Sequence, residues 1–375
     1  MSIPTAQPEP SKSLTILSRL LFPQRYRDES APVADGLYLY ELNSGITGIN
    51  KDEFENLLEL ASSNHVVVRA FEVALNIFRK VQDNTRTEWV LSALTVERAR
   101  VKNAMSFLSE VCGAFEEEGQ KVIVIKSLDH WPDLGSDLDM YTDADAVNVA
   151  QLMKRRFQAQ ISYRSWGDRL ARKWNFLIPG LPEAVEIHIG RLGQTGEQIT
   201  LASRLVGRAQ MGRIGEYEFR VPANTDRVMI STLQRMYRHF YFRLCDIVDT
   251  VELSESGAID YEDLRSSANA SGIWEGVATY LAIVSDYVKQ YRGTGLDLPQ
   301  FIWDEAQFGG DVVNFYRGYL RVPILPQSVR LYGAQLSGLL RKRELQSSAR
   351  LGLLPWLATA AAVGQKITGS DKGIW

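Results

Sequence analysis

KSLDHWPDLGSDLDMYTDAD, residues 126–145, places two carboxylates, Asp137 and Asp139, one residue apart at the entrance to a short hydrophobic run. Successive residues of a β-strand point to opposite faces, so the pair projects side by side while Leu138 turns into the core. Two adjacent carboxylates repel, and holding them together takes protonation, a basic neighbour or a divalent cation. Magnesium suits such a pair, being a hard ion that takes oxygen ligands from one or two carboxylates together with substrate phosphates. The same letters also read as a solvated acidic loop, because Asp-x-Asp recurs by chance in many sequences.

The flanking sequence favours a strand. Upstream, KVIVI is a β-branched run that follows Gly119 and ends at Lys126-Ser127, where a small residue and free backbone amides could hold a triphosphate. Downstream, DADAVNVAQLMKRRF has Asp143 or Asp145 as a helix cap and an apolar stripe behind it. AQISYRSW, KWNFLIP and AVEIHIG then supply three more strands. In the last, Glu186 alternates with Val185 and Ile187, and an acid among buried strand residues is costly unless something neutralises it. Strand, strand, helix and three strands predict a small mixed sheet over residues 120–200.

Helical periodicity surrounds this core and makes the expected class α+β. Residues 36–119 form a helical preface and 201–314 a second helical region. Residues 315–375 form a basic and apolar extension. Residues 1–35 mix proline, serine and charge and are expected to be a loose arm, although SLTILSRLLF within it has the pattern of a short amphipathic helix.

VIVIKS, GSDLDMYTD and AVEIHIG together resemble the core of the nucleotidyltransferase superfamily (DNA polymerase β-like fold), in particular its bacterial uncharacterised nucleotidyltransferase branch. The resemblance covers residues 121–190. It implies that Asp137, Asp139 and Glu186 are catalytic metal ligands for Mg2+ or Mn2+, and that Lys126 and Ser127 contact the phosphates of an NTP. It also implies transfer of an NMP group to an acceptor hydroxyl or phosphate, with two ions about 4 Å apart and Glu186 binding one of them or taking the acceptor's proton. One position departs: Lys126-Ser127-Leu128 stands where the family carries glycine, so the backbone is expected to approach phosphate less closely. MYRHFYFRLCDIVDT resembles the helical segment that follows the core in this branch, where Asp246 either touches substrate or, the expected reading, bonds within the helical layer. The alternative is a catalytically inactive member of the fold that binds nucleotide or protein in a biosynthetic or envelope pathway.

Other chemistries find less support. A net charge of -3 over 375 residues gives no general attraction to nucleic acid or anionic membrane. Cys112 and Cys245 have no metal-ligand spacing and read as buried thiols of a reducing, cytoplasmic protein. The four histidines are too scattered for a zinc site, and His188 reads as a strand residue or a partner of a ligand. Asp-x-Asp glycosyltransferases place the motif at the end of a hydrophobic strand, whereas WPDLGS precedes it here, and the threonine spacing of haloacid-dehalogenase phosphatases is absent. The basic turn holding Arg164, Arg169, Arg172 and Lys173 either leans over a triphosphate or is simply solvated. LGLLPWLATAAAVG, residues 351–364, is too short to span a bilayer; it is expected to pack against the helical domain, with weak membrane or protein contact as the alternative.

Overall fold

The computed structural model describes residues 11–23, 45–357, 359 and 360. Its centre is a five-stranded mixed sheet of order β1-β2-β5-β4-β3, built from β1 (Ile123–Val124), β2 (Asp137–Thr142), β3 (Gln160–Ile161), β4 (Lys173–Leu177) and β5 (Ala184–Ile189). β2 and β5 run parallel, and the other neighbouring pairs are antiparallel. The register opposes Leu138 to Val185 and Met140 to Ile187, all four fully buried on one face. Period two then sends Asp139 and Glu186, themselves directly opposite, to the other face.

Helix α1 (Lys12–Leu21) lies inside the stretch expected to be a loose arm. Its Leu14, Leu17 and Leu20 are buried at helical spacing, and Ser18 Oγ bonds Tyr287 Oη at 2.6 Å. Apolar burial at three-residue intervals therefore docks this segment, and the rest of residues 1–35 lies outside the described residues apart from 11, 22 and 23. The preface forms α2 (Lys51–Ser63), α3 (Val67–Lys80) and α4 (Asn84–Glu117). α4 serves two cores: Val90 and Leu94 pack among the helices, whereas Val101, Leu108 and Phe115 pack beneath the sheet. A boundary at residue 119 would cut through shared packing.

Asp145 caps α5 (Ala146–Phe157), its carboxylate accepting from the Val147 and Asn148 N–H groups at 2.8 and 3.3 Å. A short helix α6 (Trp166–Leu170) fills the basic turn.

The expected helical region after residue 200 holds more strand than its periodicity suggested. α7 (Ile199–Arg208) leads into a hairpin of β6 (Gln210–Ile214) and β7 (Tyr217–Val221), whose Phe219 joins the core under the central sheet. After α8 (Asn224–Thr232) the chain winds as a π-helix over Leu233–His239, reverses at Phe240 with φ 54°, and forms β8 (Tyr241–Phe242). α9 (Leu244–Glu255), α10 (Tyr261–Ser271), α11 (Trp274–Arg292) and α12 (Gln300–Glu305) follow. The segment expected as an extension opens with β9 (Asn314–Tyr316) and β10 (Tyr319–Arg321), which join β8 in the order β8-β10-β9. It continues as α13 (Val329–Arg341) and α14 (Leu345–Gly352). Among the described residues no helix is long and apolar enough to cross a membrane. Residues 361–375 of the apolar tail lie outside them.

Candidate active site

The parallel β2–β5 pair brings the distant acids together. Ligand atoms of Asp139, Glu186 and His188 lie within 4.8 Å of one another. Asp137 stands two residues before Asp139 on the same face, outside that tight group but close enough for the Glu186 charge to act on it.

Two lysines answer two of the acids. Lys126 Nζ lies 2.6 Å from Asp139 Oδ1, and Lys173 Nζ lies 2.7 Å from Glu186 Oε2 and 3.4 Å from Asp168 Oδ1. His188 Nε2 donates to Glu186 Oε1 at 2.9 Å, and Arg238 Nη1 lies 3.9 Å from the same oxygen. Burial would raise the Glu186 pKa, but the His188 hydrogen bond and the Lys173 charge outweigh it and hold the group well below the usual carboxylate range. Asp139 goes the other way: burial and the neighbouring acids push it up to about 6 against the pull of Lys126. Asp137 is raised by burial and by Glu186. Burial pushes His188 down to about 4, which makes it a neutral imidazole with Nε2–H as the donor.

The turn without glycine reaches the required conformation with a lysine. Lys126 has φ 64° and ψ −54°, and the Ser127 N–H donates to Ile125 O at 2.7 Å, the geometry of a classic-type γ-turn, which is rare and strained. The Lys126–Asp139 ion pair and Ser127 hold it closed. Ser127 Oγ accepts from the Asp139 N–H at 2.8 Å and donates to Asp137 O at 3.2 Å. Both Ser127 donors are therefore engaged within the fold. Lys126 remains the cation at this position.

The π-helical turn carries Arg238 over the acids. Between it and the sheet lies a cavity of about 40 Å3, lined by residues that include Lys126, His188, Gln194 and Arg238. That is room for about one water. A larger groove of about 900 Å3, lined by Lys51, Phe54, Trp89 and Glu97, lies between α2 and α4 and contains none of the acids.

The residues present fit a hard divalent ion. Asp137 is half-buried, and among the described residues no side chain pairs with its carboxylate, although it stands beside two further acids. Carboxylate oxygens are the donors that magnesium or manganese takes.

The spacing of Asp137, Asp139, Glu186 and Lys126 was readable in advance. Lys173 was visible only as part of a basic turn, from which it alone pairs with the acidic group, while Arg164 lies over the Trp174 ring at 4.0 Å. Arg238 and Arg243 carried no local signal; a break in the helical periodicity at RHFYF was the one clue to the reversal that aims them. Asp246 bonds within the helical layer, 2.7 Å from Arg235 Nε and capping the Arg243 N–H at 2.7 Å. A second polar cluster also went unread: His130 Nδ1 lies 2.5 Å from Asp249 Oδ2, and Arg69 Nη2 2.7 Å from Asp249 Oδ1. Cys245 Sγ is 3.8 Å from His130 Nε2, with both cysteines buried and free.

The fold and site define a mixed α+β protein with an acidic cluster on a parallel strand pair. No known family model matches the chain, and no curated protein matches it.

Proposed function

We propose that the protein is a metal-dependent nucleotidyltransferase that moves an NMP group from an NTP to an acceptor hydroxyl or phosphate. The observation that carries this reading is the register of β2 against β5, which sets Asp139 opposite Glu186 with Asp137 beside them and basic side chains around them.

Asp137, Asp139 and Glu186 would hold the ion, which when bound supplies neutralisation of the triphosphate and acidification of the acceptor hydroxyl. Lys126 and Arg238 present cations to the β and γ phosphates, where charge grows as pyrophosphate leaves. His188 and Lys173 fix the Glu186 carboxylate and keep it ionised, so it serves as a ligand and not as a base. With all three acids engaged on the ion, the acidified acceptor hydroxyl would lose its proton to solvent. The acceptor oxygen then bonds to the α-phosphorus as the bond to the β-phosphate oxygen breaks.

A second reading has its own support. Lys126 and Lys173 already neutralise two acids, and the cavity beneath Arg238 has no room for a triphosphate. A nucleotide- or protein-binding member without turnover would keep this closed arrangement. Asp139→Asn separates the two readings. The enzyme reading expects magnesium-dependent pyrophosphate release from the wild type that falls at least a hundredfold in the variant and stops in EDTA. NTP binding with no pyrophosphate release from the wild type would establish the second, and unaltered binding and turnover in the variant would refute the site.

A further inference from the structure

The three-stranded β8-β10-β9 sheet has one buried face and one that is half-buried, open at Tyr316. Phe242 and Leu320, register partners, fill the core side. Alternation therefore turns Tyr241, Arg243, Tyr319 and Arg321 to the opposite face, with Tyr316 beside Tyr319 across a two-residue turn, Arg317-Gly318. Both turn residues have positive φ, 49° and 83°, as a type I′ hairpin requires.

On that face aromatic rings and guanidinium groups interleave. The Tyr241 and Tyr319 ring centroids are 4.7 Å apart. Arg243 lies over both, at 5.8 and 5.9 Å, and Arg321 lies 5.7 Å from Tyr241 and 5.7 Å from Tyr316. Tyr316 is 55% exposed, with Arg317 and Arg321 against its ring. Among the described residues no carboxylate lies within ion-pair distance of Arg243, Arg317 or Arg321, and the buried Nε of Arg243 has no hydrogen-bond partner. Planar cations stacked on tyrosines without acidic partners suit an anion attached to a planar ring. The face is also continuous with the acidic site. Arg238 reaches Glu186, the adjacent His239 ring lies 5.5 Å from Tyr241, and Arg243 is among the charges that act on Asp137.

We propose that this face is a second nucleotide site that receives the acceptor, a molecule carrying a nucleoside phosphate, with the base on the tyrosines and the phosphate on Arg243 and Arg321. This rests on the transferase reading for its role, but the binding itself does not. Three strands span about 10 Å, the size of one nucleotide and shorter than the multi-nucleotide track of a single-strand binder.

The test is fluorescence anisotropy of 1,N6-ethenoadenosine 5′-monophosphate with the full-length protein in EDTA, with adenosine and a six-nucleotide single strand as competitors. Wild type and Asp139→Asn should bind it equally, Arg321→Gln and Tyr316→Ala should weaken it about tenfold, and Tyr316→Phe should bind as wild type does. Absence of binding by the wild type, or binding indifferent to Arg321→Gln and Tyr316→Ala, overturns the proposal. So does adenosine competing as well as AMP, or binding confined to the oligonucleotide. Failure of the transferase reading shows separately, as absence of magnesium-dependent pyrophosphate release from the wild type.

Discussion

Asp139 and Glu186 face each other across a parallel strand pair, and each is held by a different lysine, Lys126 from the turn before β2 and Lys173 from the start of β4. The two ion pairs are nearly dry, and the two carboxylates have moved apart in acidity. His188 and Lys173 hold Glu186 well below the usual carboxylate range, while burial pushes Asp139 up to about 6. A shared electrostatic neighbourhood thus drives the acidities of two facing carboxylates in opposite directions.

Removing Lys173 should be costly. Lys173→Met leaves Glu186 buried without its ammonium partner, and unfolding in urea should show a loss of roughly 3–5 kcal/mol. The double variant Lys173→Met/Glu186→Gln should recover much of it. A loss below about 1 kcal/mol in the single variant would mean that water reaches Glu186 and the pair is not buried in solution.

The turn at Lys126 predicts an inverted ranking of alanine and glycine. Both substitutions remove the ammonium, but at φ 64° alanine keeps a Cβ clash that glycine lacks. Lys126→Gly should therefore be more stable than Lys126→Ala by about 1 kcal/mol, the reverse of their order in a helix. Equal stabilities by thermal or denaturant unfolding would show that this backbone strain is not present.

Ser127→Ala strips a hydroxyl that both accepts from and donates to the β2 backbone. With the Asp139 N–H and the Asp137 carbonyl deprived of that partner, stability should fall by about 1–3 kcal/mol. Because both donors of Ser127 are engaged in the fold, the KM for NTP should stay near the wild-type value. A large rise in KM with unchanged stability would return Ser127 to direct phosphate contact.

The metal-free protein should show an acid-side signature of Asp139. Its folded pKa, about 6, exceeds the unfolded value of about 3.9. Between roughly pH 4 and 6 the folded state therefore binds the extra proton, and stability declines as pH rises through that window, by on the order of 2–3 kcal/mol. Glu186 has the opposite sign: its contribution is present above its unfolded value, about 4.3, and is lost as the pH drops through its depressed folded value. Urea midpoints in EDTA from pH 4 to 7 should fall more steeply in the wild type than in Asp139→Asn, by the share that Asp139 contributes. Burial also raises Asp133 to about 6, but that group is common to both proteins and cancels in the comparison. Parallel curves would contradict the assignment.

Much of the central sheet was legible because its signals are local. DLDMYT and AVEIHI alternate cleanly, and Asp145 announces the helix after β2. The β6–β7 hairpin was harder to see, since QMGRI contains a glycine and only one β-branched residue, and most of its side chains remain outside the core. β8 and β10 are about eighty residues apart, and each is too short to declare itself, so their pairing depends on how the intervening helices pack. Lys173 and Arg238 were invisible as partners of Glu186 because an ion pair depends on distance in space, which charge type alone does not encode.

The amino-acid order by itself determined which side chains share a face, because a strand's period of two follows from backbone geometry, and it thereby committed Asp137, Asp139 and Glu186 to one side of their strands. Tertiary structure alone decided that β2 lies parallel to β5 in the register that opposes Asp139 to Glu186, and that a π-helical reversal brings arginines over them. Those relationships arise from burying Leu138, Met140, Val185 and Ile187 together, a collective packing energy that no single stretch of the chain contains.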